Sequence, residues 1–289
     1  MSLLNDHLQI RVLDRLGLKG ALVPDLETLD LLYAAWCRHV PFDNIRKMIA
    51  LRSSGNLPLP GLEAFDFFEN WLNNGSGATC WLMANALAEL LKSIGFKTYR
   101  IAGSVRDLGI INHGSVKVAI NGTIYLADAA LLLNVILPLD QRTHVHNDPV
   151  YPVELEPDED SHLVWMKTPP GMDYFCCRIF SKPVDFPFFL DRYEDSRERS
   201  IFNQRLYARR NHPGKLTIFW GNVRFIKTAK GINRDELTRE QLCAALNEEI
   251  GISEVLIKEW IACGALEASF EPPSGQPPPQ SQRKPPSQR

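Results

Sequence analysis

The sequence lacks any run of about 18 apolar residues, the minimum for a helix that crosses a membrane. It also lacks an excess of basic charge. Against 34 Asp and Glu stand 32 Lys and Arg, a net charge of −2, and a chain without a basic face does not neutralise phosphates as its main business. Zinc-knuckle spacing is missing among the cysteines at 37, 80, 176, 177, 243 and 263, so no metal is expected. The first residues, Met1 to His7, have neither the charged nor the apolar region of a secretory signal. Reduced thiols in a cytoplasmic protein are therefore expected, not a disulfide framework. No Walker-type or dinucleotide glycine motif occurs, which leaves nucleotide hydrolysis and hydride transfer unsupported.

What is present suits a globular fold of two or three subdomains: 45% of residues are apolar and 23% charged, the balance of an ordinary packed domain. The charge is divided unevenly. Pro272 to Arg289 carries seven prolines, no carboxylate and the three cations Arg283, Lys284 and Arg289, leaving −5 on the remainder. With nothing apolar to bury, this tail is expected to be disordered or polyproline-like.

Periodicity divides the rest. Residues 1–95 read as a helical domain: Leu8, Val12 and Leu16 follow a 3.6-residue spacing, as do Leu29, Leu32, Tyr33 and Trp36. Further helices are expected over Leu62–Leu72 and Cys80–Ser93. Residues 96–195 switch to the two-residue period of strands, with candidates at Tyr99–Val105, Ser115–Ile120, Thr123–Asp128, Leu163–Lys167 and Cys177–Ser181. Residues 196–268 form a smaller mixed segment, in which Gly221-Asn222 joins two strands and Thr238 to Gln241 is a capping box. Residues 269–289 are the tail. Helices, then strands, then a mixed lid predict an α+β fold.

The chemistry concentrates in two segments. Asn74-Gly75-Ser76-Gly77-Ala78-Thr79 leads into a helix that begins at Cys80. There, unpaired N–H groups and the helix dipole favour a thiolate. A small buried core cysteine is the bland alternative. In the second segment Asn121-Gly122 predicts a two-residue hairpin turn. Ile120 then pairs with Thr123, Asp128 lies opposite Ser115, and His113 shares a sheet face with Asp128 as its diagonal neighbour. An inward Asp without a partner is costly. Cys80, His113 and Asp128 thus form a candidate nucleophile, base and orienting carboxylate, with the Cys80 amide as an oxyanion donor. Other candidates are weaker. His144-Val145-His146 has metal-compatible spacing but reads as a loop, and Trp165, Phe175, Phe186, Phe188 and Phe189 read as core. Arg209-Arg210 is either a phosphate contact or a solvated hairpin tip.

On these residues the chain resembles the arylamine N-acetyltransferase family. The motifs that carry the resemblance are Pro41-Phe42-Asp43-Asn44, Ser76-Gly77-Ala78-Thr79-Cys80, Asn112-His113-Gly114 and Leu126-Ala127-Asp128-Ala129-Ala130. The resemblance implies a helical N-terminal domain, a β-barrel and an α/β lid around a cysteine-proteinase-like core, with a Cys-His-Asp triad. It also implies transfer of an acyl group from a thioester, of CoA or of an acyl carrier protein, to a small-molecule amine through an acyl-enzyme, with no tightly bound cofactor. Two departures bear on substrates. Ser76 stands where the family has an Arg, leaving Asp43 without that ion pair and Arg46 as a candidate substitute. Ala130-Leu131-Leu132 replaces a Gly-Phe-Gly loop. A cysteine hydrolase (amidase, thioesterase or transglutaminase-like) would use the same three residues, and a binding module that keeps the fold without the reaction is a third reading.

Overall fold

In the computed structural model, residues 4–53, 57–171, 173–272 and 283–289 are described. The N-terminal 3.6-residue stripes become α1 (Asp6–Leu16) and α2 (Leu26–His39), each opened by a side-chain cap: Asn5 accepts from the Leu8 amide and Asp25 from the Thr28 amide, both at 2.8 Å. A two-residue strand β1 (Phe42–Asp43) follows, then α3 (Ile45–Arg52), α4 (Ala64–Asn74) and α5 (Cys80–Ile94). The α3 helix has no counterpart in the sequence reading, for it is short, has no side-chain cap, and buries Lys47 beside Ile45 and Met48.

The strand-period region forms β2 (Lys97–Val105), β3 (His113–Ile120), β4 (Thr123–Leu126), β5 (Leu137–Pro138), β6 (His144–His146), β7 (Val153–Asp158), β8 (Ser161–Lys167) and β9 (Tyr174–Val184). They lie in the order β5-β4-β3-β2-β9-β8-β7-β6, a nearly closed antiparallel barrel. The β3–β4 register is the expected one, with Ile120 opposite Thr123 and Lys117 opposite Leu126. His144–His146, read from sequence as a loop, is instead the edge strand β6, where His144 Nε2 meets Asp140 Oδ1 at 2.8 Å.

Strand periodicity ends at Val184, short of the expected bound at 195. Phe186–Arg199 is α6, capped by Asp185, and it crosses position 195. The lid sheet β10 (Tyr207–His212), β11 (Lys215–Trp220), β12 (Val223–Thr228) and β13 (Gly231–Glu236) takes β1 as its other edge. The Gly221-Asn222 turn pairs Trp220 with Val223 as expected. The Thr238/Gln241 capping box opens α7 (Arg239–Ala245), which runs into a π-helical turn (Leu246–Ile250), α8 (Glu254–Ala262) and α9 (Ala265–Phe270). The tail, expected to begin at 269, starts later. Helix α9 carries on to Phe270, and its Ser269 hydroxyl is tied to the Ala265 carbonyl and the Leu206 amide. Of the tail expected to be disordered, 273–282 lies outside the described residues, while 283–289 lies against β7 with a 3₁₀ turn at Pro286–Gln288.

Among the described residues, the three largest apolar cores hold these parts. Trp36, Phe67 and Phe68 pack with Leu87 and Leu91 of α5 against Val116 and Val118 of β3. The barrel interior is filled by Ile101, Leu126, Leu155, Val164 and Ile179. The lid core of Leu206, Phe219, Leu246 and Trp260 is completed by Ile45 and Met48 from α3. Helix α5 is thus buried along nearly its whole length between the other helices and the barrel.

Candidate active site

Asp43 shapes the loop before α5. Its buried carboxylate accepts from the Ser76 hydroxyl (2.8 Å), the Gly77 amide (2.7 Å) and the Ile45 amide (3.1 Å). Burial pushes this carboxyl up to about 6, against the opposing pull of those donors. Arg46, the candidate partner for Asp43, makes its bonds to Asp66 instead, at 3.1 and 3.2 Å. The uncharged Ser76 and two backbone amides thus stand in for an ion pair. Gly77 approaches the chain so closely that a Cβ there would lie 1.8 Å from the Pro41 carbonyl oxygen.

That loop delivers Cys80 to the first position of α5, after Thr79, whose side chain does not cap the helix. Cys80 is 8% exposed, and its thiol faces the Asn112 carbonyl at 3.8 Å. Burial pushes Cys37 and Cys176 up to about 12 and Cys177 well above its usual value, so none of these is a thiolate near neutrality.

His113 opens β3 and is 2% exposed. Its Nε2 lies 2.7 Å from Asp128 Oδ2. Burial alone would lower the imidazole pKa, but the charge and hydrogen bond of Asp128, joined by a side-chain hydrogen bond with Cys80, raise it above the usual value. Asp128 is completely buried and fully satisfied. Oδ2 also accepts from the Ser115 hydroxyl at 2.6 Å, and Oδ1 accepts from the Ala130 and Leu131 amides at 3.0 and 2.7 Å. Burial pushes its pKa up, and His113 with these donors more than reverses the effect, so the carboxyl is held below its usual value. His113 and Asp128 are thus paired directly, and the Cys80 thiol faces the carbonyl of Asn112, the residue before His113. Ser115 enters because the hairpin register puts it opposite Asp128. The Ala130-Leu131 amides enter because residues 128–131 fold into a turn around the carboxylate.

Sequence reasoning missed Lys47. Its buried ammonium donates to the Ser196 hydroxyl (2.7 Å) and carbonyl (3.2 Å) and lies over Tyr193 at 5.8 Å. Burial lowers it to about 8, opposed first by the charge of Cys80. A cavity of about 10 Å³, lined by Asp43, Lys47, Gly77, Thr79 and Tyr193, sits behind the nucleophile loop, with room for about one water. A lysine inside a short, uncapped helix carries no local pattern, so nothing in the sequence marks it.

The weaker candidates fall elsewhere. Arg209 and Arg210 are neither at a solvated tip nor free for a phosphate. They lie on β10, donating to the Leu132 carbonyl (3.2 Å) and the Ile250 carbonyl (2.7 Å). Among the aromatics, Phe189 packs edge-on to Trp81 at 5.0 Å, while Trp165 belongs to a small cluster on another face of the barrel. Among the described residues no group of three or more His, Cys, Asp or Glu is placed to hold a metal.

Comparison with known proteins bears on the family and the fold. The sequence model described as N-acetyltransferase matches residues 25–258. A curated relative, the arylamine N-acetyltransferase of Mycolicibacterium smegmatis, is 29% identical over 130 residues, covering 43% of this chain and 44% of that protein, so the match spans less than half of either. A solved arylamine N-acetyltransferase of M. smegmatis superposes with a TM-score of 0.76 at 21% identity, covering 88% of this chain and 96% of its own. The Mycobacterium marinum arylamine N-acetyltransferase in complex with CoA does so at 0.76 and 18%, covering 90% and 97%. At these identities the solved structures establish the α+β fold, and the sequence model, spanning most of the chain, establishes more: the chain belongs to the N-acetyltransferase family.

Proposed function

We propose that the chain is a cysteine-dependent acyltransferase that carries an acyl group from a thioester to an amine through an acyl-enzyme on Cys80. The observation that supports it most is the buried pair of His113 Nε2 and Asp128 Oδ2 at 2.7 Å, set beside a cysteine at a helix N-terminus. His113 Nδ1 takes the proton of the Cys80 thiol, and Asp128 fixes the tautomer and stabilises the imidazolium. The thiolate attacks the thioester carbonyl, and the oxyanion is met by the Cys80 amide at the start of α5. Collapse forms the Cys80 thioester and expels the donor thiolate, which takes the proton held on His113. An amine then attacks the acyl-enzyme, its proton passes to His113, and the amide leaves as Cys80 is regenerated.

Acyl-CoA is the donor class that the family and the CoA complex of the M. marinum relative favour, and a carrier-protein thioester presents the same pantetheine arm. The acceptor class is a small-molecule amine. Cys80 is only 8% exposed, which fits a narrow thioester arm better than a protein substrate. The family's Gly-Phe-Gly loop is Ala130-Leu131-Leu132 here, so the acceptor pocket is expected to differ from that of arylamine-specific relatives.

Intact-protein mass spectrometry after incubation with acetyl-CoA and longer acyl-CoAs is the direct test. A single acyl adduct that is absent from Cys80→Ala and discharged by added amines to give amides is the expected result. No adduct with any thioester sinks the proposal, and discharge unaffected by every amine, with no amide formed, reassigns the site to hydrolysis.

A further inference from the structure

The outer face of β7 carries Glu154, Glu156 and Asp158 at alternate positions, while Val153 and Leu155 point into the barrel core. Beside them β8 and β9 contribute Leu163, Trp165 and Cys176, an apolar cluster separate from the other cores, with Tyr174 packed at its side. Register puts Trp165 opposite Glu154 and Leu163 opposite Glu156. Glu154 and Glu156 are 2% and 8% exposed. Carboxylates buried to that degree on a sheet face demand cations or donors in return.

The C-terminal residues supply them. Arg289 forms a two-pronged pair with Glu156, at 2.7 and 2.9 Å, and Trp165 Nε1 donates to the same carboxylate at 3.1 Å. Glu154 accepts the Ser287 amide at 2.9 Å and its hydroxyl at 2.5 Å. Arg283 reaches Asp158 at 3.1 Å. Between these anchors Pro285 is buried and has φ −63° and ψ 156°, the polyproline II conformation. Neighbouring aromatic residues, an acidic flank and a proline between basic residues are features suited to recognition of proline-helix peptides. The segment itself contains no carboxylate side chain.

We infer that the outer face of β7–β9 is a peptide-recognition site for basic, proline-containing segments, filled in cis by residues 283–289. A tethered ligand competes at an effective concentration of about a millimolar, so a free peptide gains access only when the tether is weakened. The face lies outside the proposed catalytic centre and serves binding, independently of acyl transfer.

The test is fluorescence anisotropy with a labelled peptide of sequence Arg-Lys-Pro-Pro-Ser-Gln-Arg and the full chain. The double variant Arg283→Ala/Arg289→Ala is expected to bind the peptide at least tenfold more tightly than wild type. Adding Glu154→Gln/Glu156→Gln is expected to remove that binding, and exchanging the peptide's first proline for alanine to weaken it several-fold. No saturable binding by the unlatched variant, or binding indifferent to the two glutamates, overturns the inference. Hydrogen exchange on the unmodified chain gives a second reading that needs no latch variant. The Ser287 amide should be protected in wild type and lose that protection in Glu154→Gln; an unprotected wild-type Ser287 amide overturns the inference equally. Acyl-enzyme formation should be the same in wild type and the latch variants, which separates this inference from the proposed reaction.

Discussion

Asp43 and Asp128 are both fully buried carboxylates, yet their surroundings drive them in opposite directions. Asp43 has hydrogen-bond donors but no paired cation, and burial pushes it up to about 6 from 3.8. Between those values the folded chain holds a proton that the unfolded chain has lost, so this group's contribution to stability falls as pH rises through that window. Asp43→Asn is therefore expected to flatten the stability curve between about pH 4 and 6, as measured by urea melts at several pH values. Asp128, held low, contributes stability above the usual carboxylate range and loses it as pH falls through its lowered value. His113, raised, contributes below its usual value and loses the contribution as pH climbs through the raised one. Replacing Asp128 by Asn keeps the shape of the site but removes the charge that orients and stabilises the imidazolium. Acyl-enzyme formation should slow by a factor on the order of 10³, read by single-turnover kinetics.

Among the elements, the hairpin of β3 and β4 was the most legible. Asn121-Gly122 sets the turn, the turn sets the register, and the register brings Ser115, His113 and Asp128 onto one face. The start of α5 could be read as well, because glycines followed by an apolar stripe mark a helix N-terminus. What holds that start in place could not. Asp43 is 33 residues from Ser76, and its bonds there depend on a tertiary approach that no local pattern encodes. Arg46 at one helical turn was a reasonable substitute cation, but Asp66 on α4 competes for it. The tight contact of Gly77 with the Pro41 carbonyl makes a sharp test of this element. Gly77→Ala forces the loop apart and is expected to cost about 3 kcal/mol of stability in urea unfolding. It should also depress Cys80 acylation more than a remote destabilising change of equal size.

At the scale of the whole molecule, sequence order and spatial order part company. The lid reads as a separate C-terminal segment, but its core needs Ile45 and Met48, and its sheet takes β1 as an edge. Short strands such as β1 and β5, two residues each, leave no periodicity to detect. Helix α6 was hidden because its aromatics, Phe186, Phe188 and Phe189, crowd its first turn and only Phe189 and Tyr193 are buried, too few for a 3.6-residue stripe. Shared cores predict shared unfolding. Trp36, in the helical core, and Trp260, in the lid core, should lose their ¹⁹F-tryptophan signals at the same denaturant concentration, and two separated midpoints would contradict that.

Strand β1 also sets how the lid can move. Phe42 and Asp43 pair with Arg209 and Ala208 of the lid on one side, and the Asp43 amide donates to the Ala78 carbonyl of the nucleophile loop at 3.2 Å on the other. Those two residues act as a mortise joint between the lid sheet and the segment that carries Cys80. A hinge that swung the lid outward would drag the nucleophile with it, so a substrate's path to the thiol has to be opened by side chains around a fixed frame.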